Sequence, residues 1–123
     1  MEKILALLND QSHEGELFPS PLVFTAEAGA RARGQVVQLS IQLQDQTILA
    51  CRCKVQGCPY TIAAAKYVAA RIEGLTLAEA QQVQSQEIID ALDFPSHKQY
   101  SAVLAYDGLQ TLIRDAMGAL NHD

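Results

Sequence analysis

Residues 36–74, VVQLSIQLQDQTILACRCKVQGCPYTIAAAKYVAARIEG, change periodicity once, and that change decides the fold. In the first part the period is two. Val37, Leu39, Ile41 and Leu43 fall on one side, with Gln38, Ser40, Gln42 and Gln44 on the other. That is the pattern of a half-buried antiparallel strand. Asp45 and Gln46 suit a tight turn, after which TILACRCKV alternates again. Leu49, Cys51, Cys53 and Val55 are predicted to face the core, with Arg52 and Lys54 opposite, completing a hairpin. Past Gly57 the spacing becomes helical: Ile62, Val68, Ala69 and Ile72 share a stripe, and Gly74 is a natural C-terminal stop.

Upstream, VFTAEAG (23–29) reads as a third strand, QSHEGELFPSP (11–21) as a connector and MEKILALLND (1–10) as a short helix. Downstream, Thr76-Leu77-Ala78-Glu79 is a T-x-x-E capping box that opens a second helix, with a break around Ser85 before EIIDALDF. Pro95 closes that section. From about Tyr100 to Leu120, Leu109, Leu112, Ile113, Ala116 and Leu120 form one helical face. Strands come first and helices afterwards. The order predicts an α+β fold, a small antiparallel three-stranded sheet with helices packed on one face, as a single domain over residues 1–123.

Trp is absent and aromatics are few, so the core is expected to be aliphatic. The net charge is −5, and the nearest approach to a basic cluster is Arg31, Arg33, Arg52 and Lys54, read as a solvated sheet face. Phosphate binding needs more cations on one face, which argues against nucleic acid as a partner. No stretch approaches the ~20 apolar residues of a membrane span, so no membrane partner is expected. An odd number of cysteines, with no export signal, points to a reducing, cytoplasmic setting.

Cys58 carries the chemistry. Pro is favoured at the first helical position, so Pro59 puts Cys58 at the N-cap, beside unpaired backbone donors and the positive end of the helix dipole. Such a position raises the thiolate fraction. A small buried side chain at an element boundary is the other reading. Cys51 and Cys53 are expected in the core, and a bridge between them is not expected because same-face strand positions lie ~7 Å apart. His13 and His122 are read as solvated, and His97, beside Lys98, is a candidate ligand by position only. No Ser-His-Asp arrangement, phosphate-binding glycine loop or CxxC pair is present.

The ordered segments GARARGQVVQLSIQLQDQ, CRCKVQGCPYTIAAA, GLTLAEA and FPSHKQYSAVLAYDGL together resemble the iron–sulfur cluster scaffolds of the IscU type, also found as the N-terminal domain of NifU. The resemblance implies that family's fold and a non-enzymatic role in iron–sulfur cluster assembly, with a cysteine desulfurase and a chaperone as partners. An iron–sulfur cluster or iron is the implied cofactor, although the residues themselves require none. The family's ligand positions correspond to Arg33 and Gln35 (a cysteine and an aspartate there), to Cys58 (kept), and to Tyr100 and Ser101 (a histidine–cysteine pair there). A [2Fe–2S] cluster ordinarily takes four cysteine-type ligands. The implied role is therefore accessory or regulatory, with Cys58 as the working thiol and cluster- or metal-binding residue, Arg33 as its activator and His97 as a further metal candidate. Two alternatives follow. One is a SufE-like persulfide acceptor on Cys58; the other is a docking module for a desulfurase that needs no thiol. A metal or cluster shared by two copies, each giving Cys58 and His97, is a further arrangement.

Overall fold

The computed structural model describes residues 2–120. Helix α1 (Glu2–Asn9) and the connector lead into strands β1 (Val23–Ala30), β2 (Gln35–Gln44) and β3 (Thr47–Gln56), with a 3₁₀ turn at Arg31–Arg33. Helices α2 (Pro59–Ile72), α3 (Leu77–Gln81) and α4 (Ser85–Leu92) follow, then a 3₁₀ turn at Ser96–Lys98 and the long α5 (Gln99–Leu120). The sheet is an antiparallel meander in the order β1-β2-β3. Helix α5 lies on β1 and β2, and α2 lies on β3 and β2. This is the expected α+β arrangement, with the buried aliphatic residues of the sheet and helices forming one cluster. Among the described residues no helix is long and apolar enough to cross a membrane.

The β2–β3 hairpin closes on Asp45 and Gln46, both at positive φ (51° and 70°), which is a type I′ geometry matching the strand twist. One strand residue departs from the alternation. Gln42 pairs with Ala50 while Leu43 pairs with Ile48, so Leu49 is the extra residue of a β-bulge. Leu49 was expected in the core but is 56% exposed, and Ile48 is fully buried in its place.

Helix α2 is wider in its burial than an amphipathic stripe. Thr61, Ala63, Ala64, Ala65, Lys66, Val68, Ala69 and Ile72 are all buried, while Ile62, expected on the stripe, is only half-buried. The helix touches the sheet, α1, α4 and α5, and its small side chains permit those approaches. A buried ammonium must be paired. Lys66 Nζ donates to the carbonyls of Leu8 (3.1 Å) and Asp10 (2.8 Å) and to the Glu14 carboxylate (2.7 Å), tying the connector to the helix.

The connector covers the outer edge of β3. Gly15 N–H donates to the Cys53 carbonyl, Cys53 N–H to the His13 carbonyl, and Cys51 N–H to the Glu73 carboxylate. Pairing of this kind closes an edge that would otherwise invite another strand. His13, expected to be solvated, is mostly buried instead, its Nε2 2.7 Å from Glu73 Oε1, because the connector folds back on β3. His122 lies outside the described residues. Arg31, Arg33 and Lys54 are exposed, as expected of a solvated face, with Arg31 paired to Glu27, Lys54 to Glu16 and the half-buried Arg52 to Glu73.

At the end of β1, Gly29 has φ +101°, and a Cβ there would stand 2.1 Å from the Gln35 carbonyl oxygen. Gly29→Ala should therefore destabilise the fold by roughly 2 kcal/mol or more in urea unfolding. The capping box forms as expected, Glu79 N–H donating to Thr76 Oγ1 (3.1 Å) and Thr76 N–H to Glu79 Oε1 (3.0 Å). Thr76→Ala should cost about 1 kcal/mol in the same measurement.

Candidate functional site

Cys58 occupies the N-cap of α2 in extended backbone (φ −72°, ψ 165°), with Pro59 entering the helix. The start of α2 abuts the start of α5, and three hydroxyls converge on the sulfur. Thr61 Oγ1 lies at 3.5 Å, Ser101 Oγ at 3.7 Å and the Tyr100 hydroxyl at 3.8 Å. Thr61 and Ser101 are fully buried and 2.8 Å apart, and Thr61 Oγ1 also lies 2.7 Å from the side-chain amide of Gln35, the first residue of β2. Gly57 makes this approach possible, since a Cβ there would meet Gln35 Oε1 at 2.5 Å.

Burial disfavours a charged sulfur, but the donors around it outweigh that cost. The Thr61 hydroxyl and N–H, then the Ser101 and Tyr100 hydroxyls, bring the Cys58 thiol down to about 6. No capping hydrogen bond of ordinary geometry joins the Cys58 sulfur to a backbone N–H of α2. Cys58 itself is half-buried and so reachable from solvent. Cys51 and Cys53 are buried in the core, as expected. Burial raises both, Cys53 to about 11.

Of the other residues singled out from sequence, Gln35, Tyr100 and Ser101 are brought to Cys58. Arg33 lines an adjoining hollow of ≈ 540 Å³ with Gln35, Tyr100, Ala30, Val103 and Leu104, but it is not a hydrogen-bond partner of the sulfur. His97 is exposed on its 3₁₀ turn, outside the group that touches the sulfur. Among the described residues, no three His, Cys, Asp or Glu side chains gather as a metal site. Two members of the surroundings went unread in the sequence. Thr61 stands three residues after the N-cap, the spacing at which capping partners meet. Lys98 Nζ lies 5.5 Å from the Tyr60 ring centre and 5.9 Å from that of Tyr100, a cation–π contact that only the folded chain creates.

The profile of the NifU-like N-terminal domain matches residues 1–119. The chain belongs to that family. The mitochondrial iron–sulfur cluster assembly protein 1 of Eremothecium gossypii is 36% identical to this NifU-like domain over 95 residues, 76% of this chain and 62% of that protein. The corresponding protein of Kluyveromyces lactis is 35% identical over 97 residues, 77% of this chain and 54% of its own length. The chain thus spans little more than half the length of these mitochondrial relatives. The iron–sulfur cluster assembly scaffold protein IscU of Azotobacter vinelandii is 33% identical over 96 residues, 77% of this chain and 75% of that protein. Relatives named as scaffolds and assembly proteins agree with the expectation of a scaffold-like protein of iron–sulfur cluster assembly. A solved N-terminal NifU-like protein from Brucella abortus shares the fold with TM-score 0.69 at 17% identity, over 96% of this chain and 94% of that one.

A thiol that ionises near 6 is mostly thiolate at neutral pH, and its reactivity falls as pH drops through that value. Iodoacetamide should therefore modify Cys58 at pH 7 at close to its maximal rate, with the rate declining below about pH 6. Cys51 and Cys53 should stay unmodified in the folded protein. Peptide mass mapping against pH checks both.

Proposed function

We propose that this NifU-like domain serves iron–sulfur cluster assembly as an accessory member that accepts sulfur on Cys58, rather than as a cage for a whole cluster. The observation that carries this reading is the donor set: one low-lying thiol with three hydroxyls around its sulfur, one of them held in turn by the Gln35 amide. A cluster needs several anionic thiolate-type ligands. A thiolate that is reachable, stabilised by donors and not tied to a second cysteine suits attack on persulfide sulfur. The positions that hold a cluster in the resembled family are Arg33, Gln35, Tyr100 and Ser101 beside Cys58, and hydroxyl groups in that setting favour an anion over a metal ion. A cysteine desulfurase is the partner this chemistry calls for, in a reducing, cytoplasm-like compartment.

The exposed Tyr100 and Val103 beside the hollow favour a second reading, a surface on which an assembly partner docks whether or not the thiol is present. Incubation with a desulfurase and cysteine separates the two. Sulfur acceptance predicts one added sulfur by intact mass, located on Cys58 and absent from Cys58→Ser. An unmodified wild-type protein that still binds the desulfurase, equally well with Cys58→Ser, would leave docking as the function.

A further inference from the structure

The two long edges of the sheet end differently. Leu43 N–H donates to the Leu22 carbonyl at 2.9 Å, which sets the parity of the β1–β2 ladder. Successive residues of a strand aim their backbone groups at opposite edges. Phe24, Ala26 and Ala28 therefore bond to β2, and the N–H and C=O of Thr25 and Glu27 face away from it. The same alternation turns Cys51 and Cys53 outward on β3, where the connector and Glu73 pair them. On β1 there is no such cover. Among the described residues, the outward backbone groups of Thr25 and Glu27 have no partner, and both residues are exposed. The strand VFTAEAGA also lacks the proline, lysine or bulge that blunts a natural edge, its register with β2 being unbroken.

The flank of α5 beneath this edge is open as well. Gly108 lies against Ala28, and toward the helix start Val103 (43% exposed), Leu104 and Asp107 line the ≈ 540 Å³ hollow with Gly29 and Ala30 of β1. Phe24 and Ala28 point to the helix layer yet are only half-buried. Arg33 stands at the far end of the hollow, and the exposed Asp107 joins no ion pair among the described residues.

We propose that the free edge of β1 docks one extended segment of a partner protein, which adds a fourth strand and sets an apolar side chain in the hollow against Val103 and Leu104. The unpaired groups specify the occupant, because donors and acceptors repeating at strand spacing are met by the backbone of another extended chain. Side chains on one face of a strand recur every ~7 Å. A basic residue two positions from the apolar one therefore reaches Asp107. The net charge of −5 favours a partner segment of the same positive sign. A second copy fits less well. Paired antiparallel through β1, it would bring its own α5, which lies under β1, to the same flank, although paired strands stand only about 4.8 Å apart and packed helices need roughly 8–10 Å. Docking here uses no part of the Cys58 chemistry and so goes beyond the sulfur-accepting reading.

A displayed library of random decapeptides, selected on the full chain, supplies the probes. Selected peptides should carry an apolar and a basic residue two positions apart. N-methylation of one alternate set of peptide amides should weaken binding about tenfold or more, and methylation of the other set should not. Val103→Asp should weaken binding by a similar factor, and Asp107→Lys should remove the preference for the basic residue. Cys58→Ser should leave the affinity unchanged, and exchange of the Thr25 and Glu27 amides should slow in the complex. Thermal melts confirm that each variant is folded. Equal effects of the two methylation sets, equal binding by wild type and Val103→Asp, or a selection that yields no peptide would each overturn the proposal. A wild-type dimer in sizing, split by Val103→Asp, would give the edge to a second copy and overturn the partner segment.

Discussion

Burial of α2 on nearly every side is the constraint from which the rest of the structure follows. Ala63, Ala64, Ala65 and Ala69 are completely inaccessible, and larger side chains there would force the sheet, α1 and α5 away. A helix held this tightly has no freedom at its start. Its first residues must lie against whatever α5 presents, and α5 presents Tyr100 and Ser101. The same burial makes Lys66 an interior cation, which in turn draws the connector down to supply two carbonyls and Glu14.

The site is accordingly assembled from element ends. Gln35 begins β2, Cys58 caps α2, and Tyr100 and Ser101 sit in the first turn of α5. Residues far apart in the chain meet because strand and helix starts converge at one end of the packed layers. Backbone ends are also where donors go unpaired, so the geometry that gathers these side chains supplies part of the electrostatics. The chemistry depends on which side chains fill that convergence. Here they are a thiol, three hydroxyls and an amide, a set that donates protons to an anion.

Much of this could be read in advance. Alternation in VVQLSIQLQ, the change of period after Gly57, the Thr76–Glu79 box and the Cys58–Pro59 junction each express a local rule, and each formed. Where local rules tied, the reading failed. Ile48 and Leu49 are adjacent apolar residues and cannot share one face of a strand. The bulge buries the first and exposes the second. His13 lies in a segment with nothing periodic about it, so its return to the β3 edge had no local signal. Lys66 in an alanine-rich helix resembles a solvated lysine until the acceptors that surround it are known. Arg33 lines the adjoining hollow, whereas the donors that lower the Cys58 thiol are Thr61, Ser101 and Tyr100.

The sequence by itself determined the element order, the sheet-and-helix class and the position of the thiol at a helix start, because these depend on spacing between neighbours in the chain. Only the tertiary structure decided which side chains surround that thiol and that two hydroxyls are buried beside it. Those properties depend on distances between residues some forty positions apart, and burial sets such distances only when the whole core has closed.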